Sequence, residues 1–252
     1  MTSLTGMTIL VTRPADQSVE LLSMIERRGA TAIPAPTIEI IGVRSAALTL
    51  ALADLAAGRF EWVTLTSRAT VEMLQRRLGE AAEIRARVAA IGEGTGEAFR
   101  AWAGREPDLV PRSFTTAALA RALPRGRGRV LCPRADIAPE GLEAAIESKG
   151  WSATRVDAYR TRLARRLPAE ASAALRQGLV DAVTFTSAST VRGFVSALDS
   201  TRGSVRLDGH VKVVCIGPVS AREARAHGMR VSAVASPHTI EGLVAALERV
   251  FG

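Results

Sequence analysis

Little in this chain suits metal, redox or nucleotide chemistry. Its 252 residues include two cysteines, three histidines and one tyrosine. Cys132 and Cys215 fall inside strand-like apolar runs, read as equivalent places in a repeat. Reduced, buried thiols are expected there rather than a disulfide. No CxxC or HxxxH spacing occurs, so no metal is expected. His210, His227 and His238 lie at loop or helix ends with no nucleophile at recognisable spacing, which argues against Ser-His-Asp chemistry. The glycines of IGEGTGEAF, from Ile91, are misplaced for GxGxxG, and no GxxxxGK phosphate loop is present. No cofactor is therefore expected. No apolar run approaches the ~18–20 residues of a membrane span. The N-terminus lacks a basic-then-apolar signal pattern. A cytoplasmic protein without membrane association is the expectation.

Lysine is almost absent as well: only Lys149 and Lys212 occur, and arginine carries the remaining basic charge behind a net +8. A basic surplus fits nucleic acid, anionic lipid or a polyanionic small molecule. The arginines are scattered over many segments with no long basic run. With three tryptophans and one tyrosine, no stacking platform for single strands is evident. A small polyanion fits better than nucleic acid.

What the chain does have is an internal duplication. FEWVTLTSRATVEML, from Phe60, returns as VDAVTFTSASTVRGF, from Val180. VAAIGEGTGEAF, from Val88, returns as VVCIGPVSAREA, from Val213. TILVTRP, from Thr8, pairs with RVLCPRA, from Arg129, and Gly29, Gly104 and Thr115 pair with Gly150, Gly228 and Thr239. The copies stand about 120 residues apart, far beyond the roughly 20–50 residues of a solenoid repeat. Two similar halves are implied, each long enough to bury its own core, with a cleft between them.

Strand and helix patterns alternate. Ile9–Arg13, Ala32–Pro34, Trp62–Thr66, Val88–Ile91 and Leu109–Val110 read as strands. Val130–Cys132, Ala153–Val156, Ala182–Thr186, Val211–Ile216 and Val231–Val234 repeat them. Ala15–Arg28 reads as an amphipathic helix closed by Gly29. Ile240, Leu243, Val244, Leu247 and Phe251 mark a last helix at the 3.6-residue period. Continuous apolar strands alternating with helices predict parallel sheets covered on both faces, hence two small doubly wound α/β domains. Thr37–Ile41 and Asp157–Arg162 follow the second strand of each repeat and look extended. They read as connectors lying side by side as a hinge.

Open α/β sheets bind ligands beyond the carboxyl ends of their strands. Thr12-Arg13, Thr66-Ser67, Gly92 to Thr95, Pro133-Arg134, Thr186-Ser187 and Gly217 to Ser220 occupy such ends. Hydroxyls there cap helices, and free N–H groups bind anions. Capping alone is the commoner explanation for any one of them. The recurrence in both halves is what suggests a site.

Taken in order, VTRP (Val11), IPAPTIEI (Ile33), VTLTS (Val63), AAIGEGT (Ala89), DAYRT (Asp157), FTS (Phe185), CIGPVSA (Cys215) and SPHTIEGLVAAL (Ser236) resemble the uroporphyrinogen-III synthase family over essentially the whole chain. The resemblance implies two flavodoxin-like domains joined by a two-stranded linker: residues 1–38 with 163–252, and residues 41–160, with linkers about 37–41 and 157–162. It implies a cofactor-independent lyase that closes hydroxymethylbilane into uroporphyrinogen III, inverting the last pyrrole ring and losing water, in tetrapyrrole and heme biosynthesis. A monomer is expected, with room for a transient contact with the preceding deaminase. Tyr159 matches the family's linker tyrosine and is the expected catalytic residue. Thr12, Arg13, Ser67, Thr95, Arg134, Ser187, Ser220 and Thr239 are the expected substrate contacts, with serine at Ser220 where threonine is more usual. The alternative is a non-catalytic tetrapyrrole-binding or regulatory module on the same fold. Tyr159, and a chain ending just after its last helix, favour the enzyme. A two-domain protein binding a simple anion is a third reading.

Overall fold

The computed structural model describes residues 4–80, 82–199, 207 and 209–252. Two compact units are present: Met1–Glu39 with Arg162–Gly252, and Ile40–Thr161. The first holds a five-stranded parallel sheet of β1 (Thr8–Val11), β2 (Thr31–Pro34), β8 (Ala182–Phe185), β9 (Lys212–Cys215) and β10 (Val231–Val234), in the order β10-β9-β8-β1-β2. The second sheet contains β3 (Ile38–Gly42), β4 (Trp62–Leu65), β5 (Arg87–Ala90), β6 (Arg129–Ala135) and β7 (Ser152–Leu163), in the order β3-β7-β6-β4-β5. The boundaries between units fall inside β3 and β7.

Counted within its own unit, the first sheet runs 2-1-3-4-5, the flavodoxin-like order. Matched copy to copy, β7-β6-β4-β5 of the second sheet repeats β2-β1-β8-β9 beside the added β3, with Leu109 bridging Ala89 where β10 pairs with β9. Even the register repeats. Leu10 faces Val183 in one sheet, and their repeat counterparts Leu131 and Val63 face each other in the other. Each sheet therefore joins the opening strands of one repeat to the later strands of the other.

The helices divide by face. In the first unit α1 (Ala15–Glu26) and α10 (Ile240–Phe251) cover one side. The opposite side holds α7 (Ala169–Arg176), α8 (Ala188–Asp199) and α9 (Pro218–Ala226), which pack Ala171, Val191, Phe194 and Ala221 onto it. In the second unit α5 (Thr116–Ala122) and α6 (Leu142–Glu147) lie on one side. There α2 (Ala46–Ala56), α3 (Arg68–Leu78) and α4 (Glu93–Ala103) form the other. The strands between are buried on both faces, so they read as apolar runs without alternation. No helix among the described residues is long and apolar enough to cross a membrane.

Three local readings change. Leu109–Val110 makes only an isolated bridge, because Pro107 and Pro111 flank it and cannot donate to a ladder. Ala153–Val156 and Asp157–Arg162 are one strand, β7, since no glycine or proline separates them. β6 runs on through Pro133 to Ala135. It pairs with β4 at Val130 and Leu131, while β7 accompanies it to Ala135, and a proline is tolerated along a half-paired stretch. Arg134 is thus a strand residue, not a loop residue. The two thiols are free and buried, but they are not repeat equivalents. Cys132 lies on β6, the counterpart of β1, and Cys215 on β9, the counterpart of β5. Burial pushes their pKa values up to about 12 and about 11, which leaves both unreactive near neutral pH.

In the first unit the chain leaving β2 is tied down at Thr37. Its hydroxyl donates to Thr190 O at 2.8 Å and also lies 3.2 Å from Thr12 O. Its own carbonyl accepts from Ala164 N at 2.8 Å. α8 approaches this closely because it has no side chain at 193. A Cβ on Gly193 would lie 2.0 Å from Thr37 O. Gly193→Ala should gain about 1 kcal/mol of helix propensity and lose about 3 kcal/mol to overpacking. The expected outcome is a lower denaturation midpoint with an unchanged slope against denaturant.

Candidate active site

The switch points of the two sheets lie between β1 and β8 and between β6 and β4. Equivalent residues meet there. At the first, Thr12 and Arg13 leave β1 and Ser187 leaves β8. At the second, Arg134 lies one residue before the end of β6 and Ser67 leaves β4.

The two serines do the same local work. Ser67 Oγ accepts from Thr70 N at 3.1 Å, and Ser187 Oγ accepts from Thr190 N at 3.1 Å. Each closes the open start of the following helix. Beyond that they differ. Ser187 Oγ lies 2.9 Å from Ser189 Oγ, whereas Ser67 Oγ lies 2.9 Å from Tyr159 Oη and 3.0 Å from Thr70 Oγ1. A serine, a threonine and a phenol therefore share one hydroxyl cluster on the second sheet.

Tyr159 reaches this cluster from β7, where its backbone carbonyl accepts from Asp136 N at 3.0 Å. The residue is 7% exposed. Burial raises the phenol pKa above its ordinary value; the hydrogen bonds from Ser67 and Thr70, then the charge of Arg134, pull it back, and Asp136 raises it. The phenol is held protonated at neutral pH with groups beside it that favour its ionised form, which suits a proton donor.

Arg134 is 1% exposed. Its guanidinium pairs with Glu143 Oε1 at 2.8 Å and donates to Pro139 O at 3.0 Å. These bonds tie the Ala135–Gly141 turn to α6. Arg134 Nε is buried without a partner. Arg13, its counterpart, is buried too.

The other expected contacts are spread over further strand ends. The Thr12 hydroxyl donates to Thr184 O at 2.6 Å, so it braces β1 against β8. Thr95 sits buried in the first turn of α4, behind Gly92. The Ser220 hydroxyl turns inward to Gly217 O at 3.0 Å. Thr239 caps α10, accepting from Gly242 N at 3.1 Å. The structure brings Ser67 and Tyr159 into direct contact, with Arg134 close enough to act on the phenol by its charge. The hydroxyls of Thr12, Ser220 and Thr239 are engaged with the protein itself. Sequence reasoning passed over Thr70 and Thr37. Thr70 had a signal, since threonine follows the serine by three in both copies, TSRAT and TSAST. Among the described residues no group of three or more His, Cys, Asp or Glu is placed to hold a metal ion.

Paired doubly wound units with repeated strand order, capped helix starts at their switch points and a buried phenol on the strand leading out of one of them define a two-unit α/β protein of flavodoxin-like topology. The family described as uroporphyrinogen-III synthase HemD matches residues 19–245. A uroporphyrinogen-III synthase of Synechococcus elongatus is 33% identical over 98% of this chain and 96% of its own length. Among solved structures, a uroporphyrinogen III synthase from Thermus thermophilus shares the fold with a TM-score of 0.68 at 22% identity, over 97% of this chain and 98% of that one. One from Helicobacter pylori gives 0.61 at 14% identity, over 97% and 99%. The chain belongs to the uroporphyrinogen-III synthase family.

Proposed function

We propose that this protein is a uroporphyrinogen-III synthase, a lyase that closes hydroxymethylbilane to uroporphyrinogen III with loss of water and inversion of the last pyrrole ring. The observation that carries the reading is family membership along almost the entire chain, joined to the buried Tyr159–Ser67 pair.

The linear tetrapyrrole closes by itself to the uninverted isomer, so the protein's task is to decide which carbon is attacked. That is an orientation problem, and holding one conformer is worth several kcal/mol of barrier, about 7–11 in favourable cases. The substrate carries eight carboxylates. A chain of net charge +8 with helix starts at its strand ends suits such a polyanion. Tyr159 donates the proton with which the terminal hydroxyl leaves as water. The carbon it leaves becomes a cationic azafulvene, and the last pyrrole ring, brought round from the other end of the chain, attacks it. Arg13, Thr95 and Ser187, with backbone N–H groups at the starts of α1, α4, α8 and α9, are the proposed carboxylate contacts. Among them Arg13 is suited to bidentate pairing.

The test is a coupled assay in which porphobilinogen and its deaminase supply the bilane, the protein is added, and the oxidised uroporphyrins are separated. Predominantly isomer III is expected. Isomer I alone, from folded protein, would move the protein to non-catalytic tetrapyrrole binding.

A further inference from the structure

The Ser67 hydroxyl has one hydrogen and two hydroxyl neighbours. Ser67 Oγ accepts from Thr70 N at 3.1 Å and lies within hydrogen-bonding reach of both Thr70 Oγ1, at 3.0 Å, and Tyr159 Oη, at 2.9 Å. Its single hydrogen can serve only one of the two. While Tyr159 keeps its proton, the phenol can donate to Ser67 and Ser67 to Thr70. Once Tyr159 has given its proton to the departing hydroxyl, the same serine need only rotate about one bond to donate to the phenolate. The N-cap bond from Thr70 N fixes the oxygen, so that rotation costs no movement of the chain.

We propose that Ser67, assisted by Thr70, is a positioning residue that holds the Tyr159 phenol and donates a hydrogen bond to its oxygen while it is ionised. This rests on Tyr159 being the proton donor. The proton balance gives the cluster its purpose. Water leaves with the Tyr159 proton as the C–O bond breaks. The last ring bonds to the azafulvene carbon through its substituted carbon to give a spirocycle, and that carbon's old bond to the adjoining methylene breaks and re-forms at the ring's free α carbon. The proton shed when the attacked pyrrole regains aromaticity then returns to the phenolate. Between the two transfers a buried anion must persist. Preorganised donors stabilise such an anion strongly when they need no rearrangement. Ser67 thus acts through Tyr159, rather than on a carboxylate of the substrate.

The duplication supplies an internal comparison. Ser187 and Thr190 reproduce the cap at the same distance, but Ser187 meets Ser189 instead of a phenol. Capping is common to both copies; the contact with a phenol belongs to one. The charged groups facing that phenol come from β6 and the residue after it: Arg134, and Asp136, whose carboxylate accepts from Thr161 N at 3.0 Å. They stay in place when Ser67 or Thr70 is changed.

Tyr159 is the chain's one tyrosine, so an isotope label on tyrosine gives one NMR resonance and its titration can be followed without any assay of activity. Ser67→Ala and Thr70→Val should each move the phenol midpoint upward. Each should lower turnover by about 10- to 100-fold with KM little changed. Ser67→Thr should restore both. Thr115→Ala, which removes the corresponding cap from α5, should lower stability about as much as Ser67→Ala while leaving midpoint and turnover alone. In a Tyr159→Phe background, Ser67→Ala should cost nothing further. A phenol midpoint unmoved by Ser67→Ala, or a loss that multiplies onto Tyr159→Phe with a raised KM, overturns the proposal and returns Ser67 to direct substrate contact. Full turnover in Tyr159→Phe alone would instead remove the proton-donor reading beneath it.

Discussion

Tyr159→Phe is expected to lower synthase turnover by about 10²- to 10⁴-fold, the range general-acid help supplies, while the protein stays folded. The substitution removes one oxygen and leaves the ring in the core that also holds Leu65, Val71 and Leu131. Ser67 keeps its cap on α3 and its contact with Thr70. The stability cost is that of one hydrogen bond, about 1 kcal/mol. Chemical quench of a single turnover, with a melting curve on the same sample, separates the two effects. A slow but folded enzyme that still excludes isomer I would place the loss in proton transfer. A folded enzyme releasing isomer I would place it in substrate orientation. Unchanged turnover would leave Tyr159 as a packed linker aromatic.

Arg134→Met carries the largest expected change in stability. The side chain is 1% exposed and its partner Glu143 is 16% exposed. Removing one member of a buried pair strands the other charge, which typically costs about 3–5 kcal/mol. The turn that Arg134 holds through Pro139 O loosens as well. The expected result is a fall in melting temperature, partly recovered by Glu143→Gln in the same chain because the stranded charge is then gone. Were Arg134 instead a clamp for a substrate carboxylate, KM would rise and the melting temperature would hold. Its charge also favours ionisation of Tyr159, so a rise in the phenol midpoint should accompany the substitution. The Nε of this guanidinium is buried without a partner.

Much of the architecture is legible in the residues. The duplication predicts equivalent elements, and the register agrees residue for residue: Ile9 faces Ala32 in one sheet as Val130 faces Ala153 in the other. Apolar runs such as WVTL and AVTF mark strands covered on both faces, because both sides of each sheet carry helices. Boundaries were less legible where propensity and pairing disagree. Leu109–Val110 looks like a strand, but the prolines around it stop the ladder. Pro133 looks like a strand end, yet β7 carries β6 two residues further.

The candidate site divides the same way. The sequence by itself determined the duplication, the parallel α/β class, the family, and which residue types stand at the strand ends, because these depend on pattern and spacing along the chain. The duplication left open which copy's strands share a sheet; the family resemblance pointed to the exchange, and the strand order and register came from the tertiary structure. Tertiary structure turned the Thr12 hydroxyl to Thr184 and buried Arg134 against Glu143, and it brought Tyr159 to Ser67 across 92 positions of chain. A strand-end hydroxyl or guanidinium looks the same in sequence whether it faces a ligand or the protein. Only packing fixes its direction, since every buried polar group must find a partner among whatever groups the fold brings near.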